Sequence, residues 1–118
     1  IVMFDSRVPN DIFSSYMNLS DIVMPLLSME TYGKYRISGS CNLAYGYKIP
    51  LYMEQKLRHV PDFENIALFY DSSHNIAAQI NTLAGNRELI NKCRENLLSH
   101  PIYNTAVQCK NYIDLITY

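Results

Sequence analysis

The sequence predicts a three-layer α/β domain, in which a parallel sheet of about four strands lies between helices. Short apolar segments alternate with longer segments of helical periodicity, and the short links between them favour parallel β-α-β units with right-handed crossovers. Hydrophobic residues make up 48% of the 118 residues and charged residues 18%, which supplies a core and argues against disorder. We therefore expect a single domain over residues 1–118.

Four apolar segments are the predicted strands. The first ends before Asp5 and has the composition of a strand that is buried on both faces. Pro25 stands near the end of the second strand and Pro50 at the beginning of the third, where a missing amide hydrogen is tolerated. The four strands cover residues 1–4, 21–27, 49–53 and 66–70.

Two helices are predicted between these strands. Pro9 suits the first turn of the first helix, and the second helix covers residues 38–47. Residues 28–37 and 54–65 show little periodicity and are predicted loops. The apolar stripe of the first helix consists of Ile12, Phe13, Tyr16 and Met17.

Three more helices are predicted after the last strand. Residues 71–73 offer caps for the first of them, which Gly85 stops, and the next helix covers residues 86–98. Pro101 is predicted in the first turn of the last helix. The stripe of that helix consists of Ile102, Ala106, Cys109, Ile113 and Ile116.

Charge and motif content argue against several classes of function. The net charge is −1 and the ten Lys and Arg residues are scattered, so nucleic acid is not an expected partner. The three cysteines lack a CxxC spacing, which predicts free thiols and a cytoplasmic location. The histidines are isolated from other ligand types and no Asp-x-Asp occurs, so neither a metal nor another cofactor is expected. Fingerprints of hydrolases, P-loop NTPases and dehydrogenases are absent from the sequence.

Topology alone predicts where a ligand would bind. A doubly wound parallel sheet binds its ligands beyond the carboxyl ends of its strands. In this sequence those ends are followed by residues 5–8, residues 28–40 and the loop after Met53. We therefore expect the functional residues in these three segments.

The most informative of these segments is Ser38-Gly39-Ser40, which opens the second helix. Unpaired amide N–H groups at a helix start, together with two hydroxyl groups, would hold a diphosphate, and Gly39 would let the backbone approach it closely. Lys34 and Arg36 would add charge-assisted contacts to phosphate oxygens. An ordinary serine N-cap is the alternative interpretation of the same residues.

Several motifs in a fixed order carry a resemblance to a known family. They are Ser6-Arg7-Val8 after the first strand, residues 20–25 (SDIVMP), Ser38-Gly39-Ser40, and residues 43–50 (LAYGYKIP). In this order they resemble the C-terminal, donor-binding domain of GT-B-fold glycosyltransferases. The nearest type is the retaining group 1, or family 4, enzymes that assemble sugar chains. The resemblance runs from residue 1 to about residue 70.

The resemblance implies that a sugar is transferred from a nucleotide-diphosphate donor to a saccharide or lipid-linked acceptor. It implies an incomplete Rossmann-like sheet, in which the loop at Arg7 and Val8 touches the base and residues 38–40 hold the diphosphate. Acceptor contacts and a catalytic base would come from an N-terminal domain, so the chain alone is expected to be inactive. A full-length enzyme of this kind would associate peripherally with a membrane.

The sequence also departs from the family pattern. Leu43 stands where many relatives carry the Glu that binds the donor ribose, and Lys48 stands where a Gly is expected. Glu30 lies in the loop where an acidic residue often faces the sugar, and it is the one candidate for a catalytic residue, although its spacing does not match. The basic residues that normally neutralise the diphosphate are missing. A non-catalytic α/β interaction or regulatory module is therefore kept as the alternative function.

Two further expectations concern the loop before the second helix and the ends of the chain. Tyr32 and Tyr35 could stack on a base or sugar from that loop, and half-burial against the core is the competing role. The chain begins at Ile1 within an apolar segment, which predicts a fragment of a longer protein. The exposed edge and face of a cut domain would favour self-association.

Overall fold

The computed structural model describes residues 3–27, 39–59, 63, 65–101 and 105–117. Within these ranges the chain is a mixed α/β protein with five α-helices and one two-stranded parallel sheet. The helices are α1 (Asn10–Leu19), α2 (Gly39–Gly46), α3 (Ile76–Ala84), α4 (Arg87–Ser99) and α5 (Thr105–Ile116). The strands are β1 (Leu51–Glu54) and β2 (Ala67–Tyr70), and the 3-10 turn Gln55–Leu57 follows β1 directly. The predicted α/β class is confirmed.

The two strands run parallel, as the sequence predicts. Leu51 pairs with Ala67 and Glu54 pairs with Tyr70 at the two ends of the ladder. The link over residues 55–66 has the length of about a dozen residues that a parallel connection requires. All four residues of β1 are buried, which is typical of a strand that is covered on both faces.

The predicted second strand is reduced to one parallel bridge between Val23 and Leu51. The Val23 N–H donates to the Pro50 carbonyl at 3.0 Å, and the Val23 carbonyl accepts from the Tyr52 N–H at 2.8 Å. In a parallel ladder the next donor on this side would be residue 25, which is Pro25 and has no N–H. The segment therefore lies beside β1 where it was predicted, but its ladder ends after one step.

The predicted first strand is wrong in its described part. Met3 and Phe4 are not in a strand, and Met3 is 87% exposed rather than buried on both faces. Phe4 instead packs edge-on against Tyr16 of α1, with ring centroids 5.6 Å apart. A strand needs a hydrogen-bonded neighbour, and none of the described residues pairs with this segment. Residues 1 and 2 lie outside the described ranges.

Apolar side chains cover both faces of the sheet, because successive side chains of a strand point to opposite faces. Helix α2 packs on one face and α3 on the other, while α4 contributes to both clusters. The cluster on the α2 face consists of Cys41, Ala44, Tyr45, Leu51, Met53, Leu57, Ile66, Ala67 and Leu97. The cluster on the α3 face consists of Tyr52, Tyr70, Leu83 and Ile90.

The predicted stripe of α1 contacts the core only in part. Its outer residues are exposed because the helix packs through little more than one side chain, Met17. A hydrogen bond of 2.8 Å between the Ser14 and Tyr47 hydroxyl oxygens also ties α1 to the chain just after α2. Within the stripe, Met17 is buried, Phe13 is half-buried, and Ile12 and Tyr16 are exposed.

Asparagine side chains begin two of the later helices. The Asn75 Oδ1 accepts a hydrogen bond from the Ala78 N–H at 3.0 Å at the start of α3, and Asn86 caps α4 in the same way. The predicted capping of α3 by residues 71–73 is therefore wrong, since those residues form a turn before the cap. Gly85 ends α3 as predicted.

Helix α5 exists where a helix was predicted, but it does not bury its stripe. Pro101 lies before the helix, which begins at Thr105, so the predicted first-turn position of Pro101 is wrong. Every α5 side chain whose burial is described is exposed. Helical periodicity indicates an apolar face without indicating what that face contacts. The exposed stripe residues are Ala106, Cys109, Ile113 and Ile116, and Ile102 lies outside the described residues.

Candidate functional site at the carboxyl edge of the sheet

Helix α2 begins at the carboxyl edge of the sheet. The chain reverses just after the helix, where the Lys48 N–H donates to the Tyr45 carbonyl at 3.0 Å and the Ile49 N–H donates to the Ala44 carbonyl at 2.9 Å. Lys48 adopts a φ of 59°, a left-handed conformation that permits this sharp reversal. Because α2 therefore runs antiparallel to β1, its amino-terminal end lies on the side where β1 ends.

The first residue of α2 is exposed. Among the described residues, no atom lies within 4 Å of the position that a Cβ would occupy at Gly39. The first amide groups of any α-helix have no acceptor inside the helix and carry the positive end of its dipole. This end of α2 can therefore receive an anionic group.

The structure brings together only part of the predicted donor site. Gly39 and half-buried Ser40 open α2 as predicted. Arg7 is exposed and Val8 half-buried, in the segment that leads into α1. No described strand precedes this segment, so Arg7 and Val8 do not follow a strand as expected, and their contact with a donor base stays a prediction. The remaining predicted residues lie outside the described ranges: Glu30, Tyr32, Lys34, Tyr35, Arg36 and Ser38.

Glu54 is a buried carboxylate at the same edge, and sequence reasoning did not single it out. It is the last residue of β1 and is 6% exposed. Its Oε2 accepts a hydrogen bond from the Ser72 N–H at 3.0 Å, whereas Oε1 has no hydrogen-bond partner among the described residues. The expected loop after Met53 begins at this residue. An acidic residue that closes an apolar strand is the signal that could have identified it.

Two tyrosines lie beside Glu54 on the α3 face of the sheet. The Tyr52 and Tyr70 rings meet edge to face with centroids 5.2 Å apart. Burial, together with the negative charge of Glu54, raises the pKa of the Tyr70 phenol. Burial and then the neighbouring Tyr70 raise the pKa of Tyr52. Both phenols therefore stay protonated at neutral pH and can donate hydrogen bonds.

A polar turn follows β2 at the same edge. The Asp71 Oδ1 accepts from the Ser73 N–H at 2.9 Å and from the Ser73 hydroxyl at 2.6 Å, and its Oδ2 lies 2.9 Å from the His74 Nδ1. These contacts, those of Ser73 first, lower the pKa of Asp71 to about 2.

The Asp71, Ser73 and His74 side chains do not form a hydrolytic triad. The Ser73 hydroxyl and the Asp71 carboxylate both approach the same ring nitrogen, Nδ1 of His74. A triad needs the serine on one ring nitrogen and the carboxylate on the other. The cluster is therefore a turn that stabilises the segment between β2 and α3.

Within the described residues, no group of three or more His, Cys, Asp or Glu side chains could hold a metal ion. No helix in the same ranges is both long and apolar enough to span a membrane. Comparison with protein-family models, curated proteins and solved structures gives no match for this chain.

Proposed function

We propose that this chain is the donor-binding part of a GT-B-fold glycosyltransferase and that it binds a nucleotide-diphosphate sugar. The observation that carries the proposal is the exposed Gly39 at the start of α2, on the side of the sheet where β1 ends. A helix start in this position is a common binding site for a diphosphate. The ordered motifs described in the sequence supply the sugar-nucleotide part of the proposal.

In this proposal the diphosphate lies on the amide groups of Gly39 and Ser40, with the Ser38 and Ser40 hydroxyls as further donors. The helix dipole favours a negative charge there by about 0.3–1 kcal/mol at an exposed site. Lys34 and Arg36 supply charge-assisted hydrogen bonds, and Tyr35 stacks on the base or sugar. The sheet described above would then be part of a larger, Rossmann-like sheet.

The donor ribose must be held differently from the family pattern. Leu43, which occupies the position of the ribose-binding Glu, is 37% exposed on α2 and cannot accept a hydrogen bond from a hydroxyl group. We therefore expect weaker binding than a complete member of the family would show. The acceptor, a glycan or lipid-linked saccharide, and the catalytic base belong in this proposal to an N-terminal domain. No metal ion or other cofactor is part of it.

Isothermal titration of the chain with uridine diphosphate and with guanosine diphosphate tests the proposal. We expect saturable binding of at least one nucleotide. The double variant Ser38→Ala, Ser40→Ala should bind about 5- to 150-fold more weakly, because each of the two lost hydrogen bonds contributes about 0.5–1.5 kcal/mol. Ser15→Ala, an exposed serine of α1, is the matched control and should leave the affinity unchanged. Equal affinity in the double variant would remove the proposed diphosphate site.

A non-catalytic interaction module is the second candidate function. The exposed apolar residues of α5 favour it, because a helix of 12 residues is only marginally stable in water without a partner surface. Absence of binding to both nucleotides, combined with binding to a protein partner, would select this candidate instead.

A further inference from the structure

Some backbone N–H and C=O groups on the outer edge of β2 form no hydrogen bond with another strand among the described residues. On the inner side of β1, Tyr52 directs its N–H toward Val23. Because backbone groups alternate along a strand, the neighbouring residues of β1 direct theirs toward β2. The parallel register then leaves the N–H and C=O groups of Ala67 and Phe69 pointing away from β1. Within the described part of the chain these groups have no hydrogen-bond partner.

An open cavity of about 490 Å³ lies between β2 and α3. Ala67, Leu68 and Phe69 of β2 line it together with Arg58, and residues of α3 line the opposite wall. This volume falls within the range of about 300–1,000 Å³ that is usual for ligand sites. The cavity is therefore large enough for a short peptide segment.

The polar side chains of the α3 wall are already engaged. The Gln79 Oε1 accepts a hydrogen bond from the Asp71 N–H at 2.9 Å, and the Gln79 Nε2 donates one to the Asp71 carbonyl at 2.8 Å. The Thr82 hydroxyl donates to the Ala78 carbonyl at 2.9 Å. The Asn86 Oδ1 caps α4. What the cavity offers a ligand is thus mainly main-chain hydrogen-bonding groups between apolar walls.

Arg58 adds one positive charge that has no acidic partner among the described residues. Its guanidinium group lies over the Phe69 ring, 4.9 Å from the ring centroid. Neither ion pair found among the described residues includes Arg58. It is also the only charged residue that lines the cavity among the residues that the structure describes. A carboxylate on the ligand would complement it.

We propose that the open edge of β2 binds an extended acidic segment of a partner protein as an added strand. Main-chain hydrogen bonds to Ala67 and Phe69 hold the segment, and one of its carboxylates pairs with Arg58. A second copy of β2 fits less well, because the sequence Ala67–Tyr70 contains no acidic residue to pair with Arg58. The proposal is independent of nucleotide binding, since it concerns the sheet edge rather than the carboxyl ends of the strands.

Titration by amide NMR with two blocked synthetic peptides tests this inference. One is acetyl-Thr-Val-Glu-Val-Thr-amide, and the other carries Lys in place of Glu. The Glu peptide should bind and shift the Ala67 and Phe69 amide signals most. The Lys peptide should bind more weakly by at least about two- to fivefold, the range of exposed ion pairs. The Glu peptide with N-methylated valines, which cannot donate those hydrogen bonds, should lose at least about tenfold in affinity.

Two protein variants complete the test. Arg58→Gln should bind the Glu and Lys peptides with equal affinity, whereas Lys92→Gln, an exposed charge of α4, should behave as the wild type. The proposal is overturned if neither peptide binds, if both bind the wild type equally, or if the shifted signals lie away from β2. A concentration-dependent dimer whose interface signals are those of Ala67 and Phe69 would assign the edge to a second copy, and that result would also overturn it.

Discussion

Glu54 and Tyr70 are the last residues of the two strands and lie opposite each other in the parallel ladder. Burial, and then this carboxylate, raise the pKa of the Tyr70 phenol, and one carboxylate oxygen has no partner among the described residues. A buried charge with incomplete hydrogen bonding destabilises the folded state. A buried residue that lowers stability is typical of a functional position, and Glu54 lies at the carboxyl edge of the strands, where parallel sheets commonly bind ligands.

We predict that Glu54→Gln keeps or raises the stability, by about 1 kcal/mol, since a neutral amide costs less to bury than a carboxylate. The amide oxygen can still accept the Ser72 N–H. Urea unfolding followed by circular dichroism measures the change. Glu95→Gln is the matched control, because Glu95 is an exposed residue of α4. A loss of more than about 2 kcal/mol in Glu54→Gln would show that the negative charge stabilises the fold.

Neighbouring leucines of α4 provide a test of the core. Leu97 is fully buried in the cluster on the α2 face, whereas Leu98 is 48% exposed. Leu97→Ala should cost about 2–5 kcal/mol in the free energy of unfolding, because it leaves a cavity. Leu98→Ala should cost less than about 1 kcal/mol. Similar losses in both variants, measured by urea unfolding, would contradict the orientation of α4.

The three cysteines should differ in their reactivity. Burial raises the pKa of Cys41 and raises that of Cys93 to about 11, whereas Cys109 is exposed. Because the thiolate is the reactive form, only Cys109 should react rapidly with Ellman's reagent at pH 8. Cys41 and Cys93 should react after unfolding. Rapid reaction of all three thiols in the folded chain would contradict the packing of α2 and α4.

Raised thiol pKa values also predict a dependence of stability on alkaline pH. Folding favours the protonated thiol of Cys93. The contribution of this thiol to the stability of the fold is therefore fully present below the ordinary thiol pKa of 9.0. That contribution should be lost as the pH rises from about 9 to about 11. Cys93→Ala should show a smaller loss of stability than the wild type over this range, measured by urea unfolding at each pH. An identical pH profile in both proteins would contradict the burial of the thiol.

Asp71 should titrate at an unusually low pH. Hydrogen bonds from Ser73, and the contact with His74, hold its pKa at about 2 rather than 3.8. The lowered pKa contributes stability above pH 3.8, and this contribution is lost as the pH falls toward 2. Carboxyl carbon NMR should give a midpoint near 2 for the wild type and a higher midpoint for Ser73→Ala. A midpoint near 3.8 in both proteins would show that the turn does not form.

The sequence predicts those elements whose ends are marked by local chemistry. The sequence predicts the parallel strands β1 and β2 because short apolar runs with aromatic residues occur there. The end of α3 and the start of α4 follow from Gly85 and Asn86, whose effects act within a single turn. These signals need no knowledge of distant contacts.

Most of the failures concern partners that local patterns do not specify. Residues 1–4 have the composition of a strand, but Met3 and Phe4 have no strand beside them. The ladder at Val23 ends because Pro25 lacks one hydrogen, a detail that depends on which strand lies next to it. Helix α5 has the predicted periodicity and an exposed apolar face. The acidic residue after the apolar run marks Glu54, but its burial depends on how distant parts of the chain, such as the turn at Ser72, meet the strand end.

An NMR titration with uridine diphosphate tests whether the first amide groups of α2 bind a diphosphate. We expect the amide signals of Gly39 and Ser40 to shift progressively and to reach a plateau, while those of α5 stay in place. If the nucleotide leaves the Gly39 and Ser40 signals unmoved at saturating concentration, the proposed sugar-nucleotide site is contradicted.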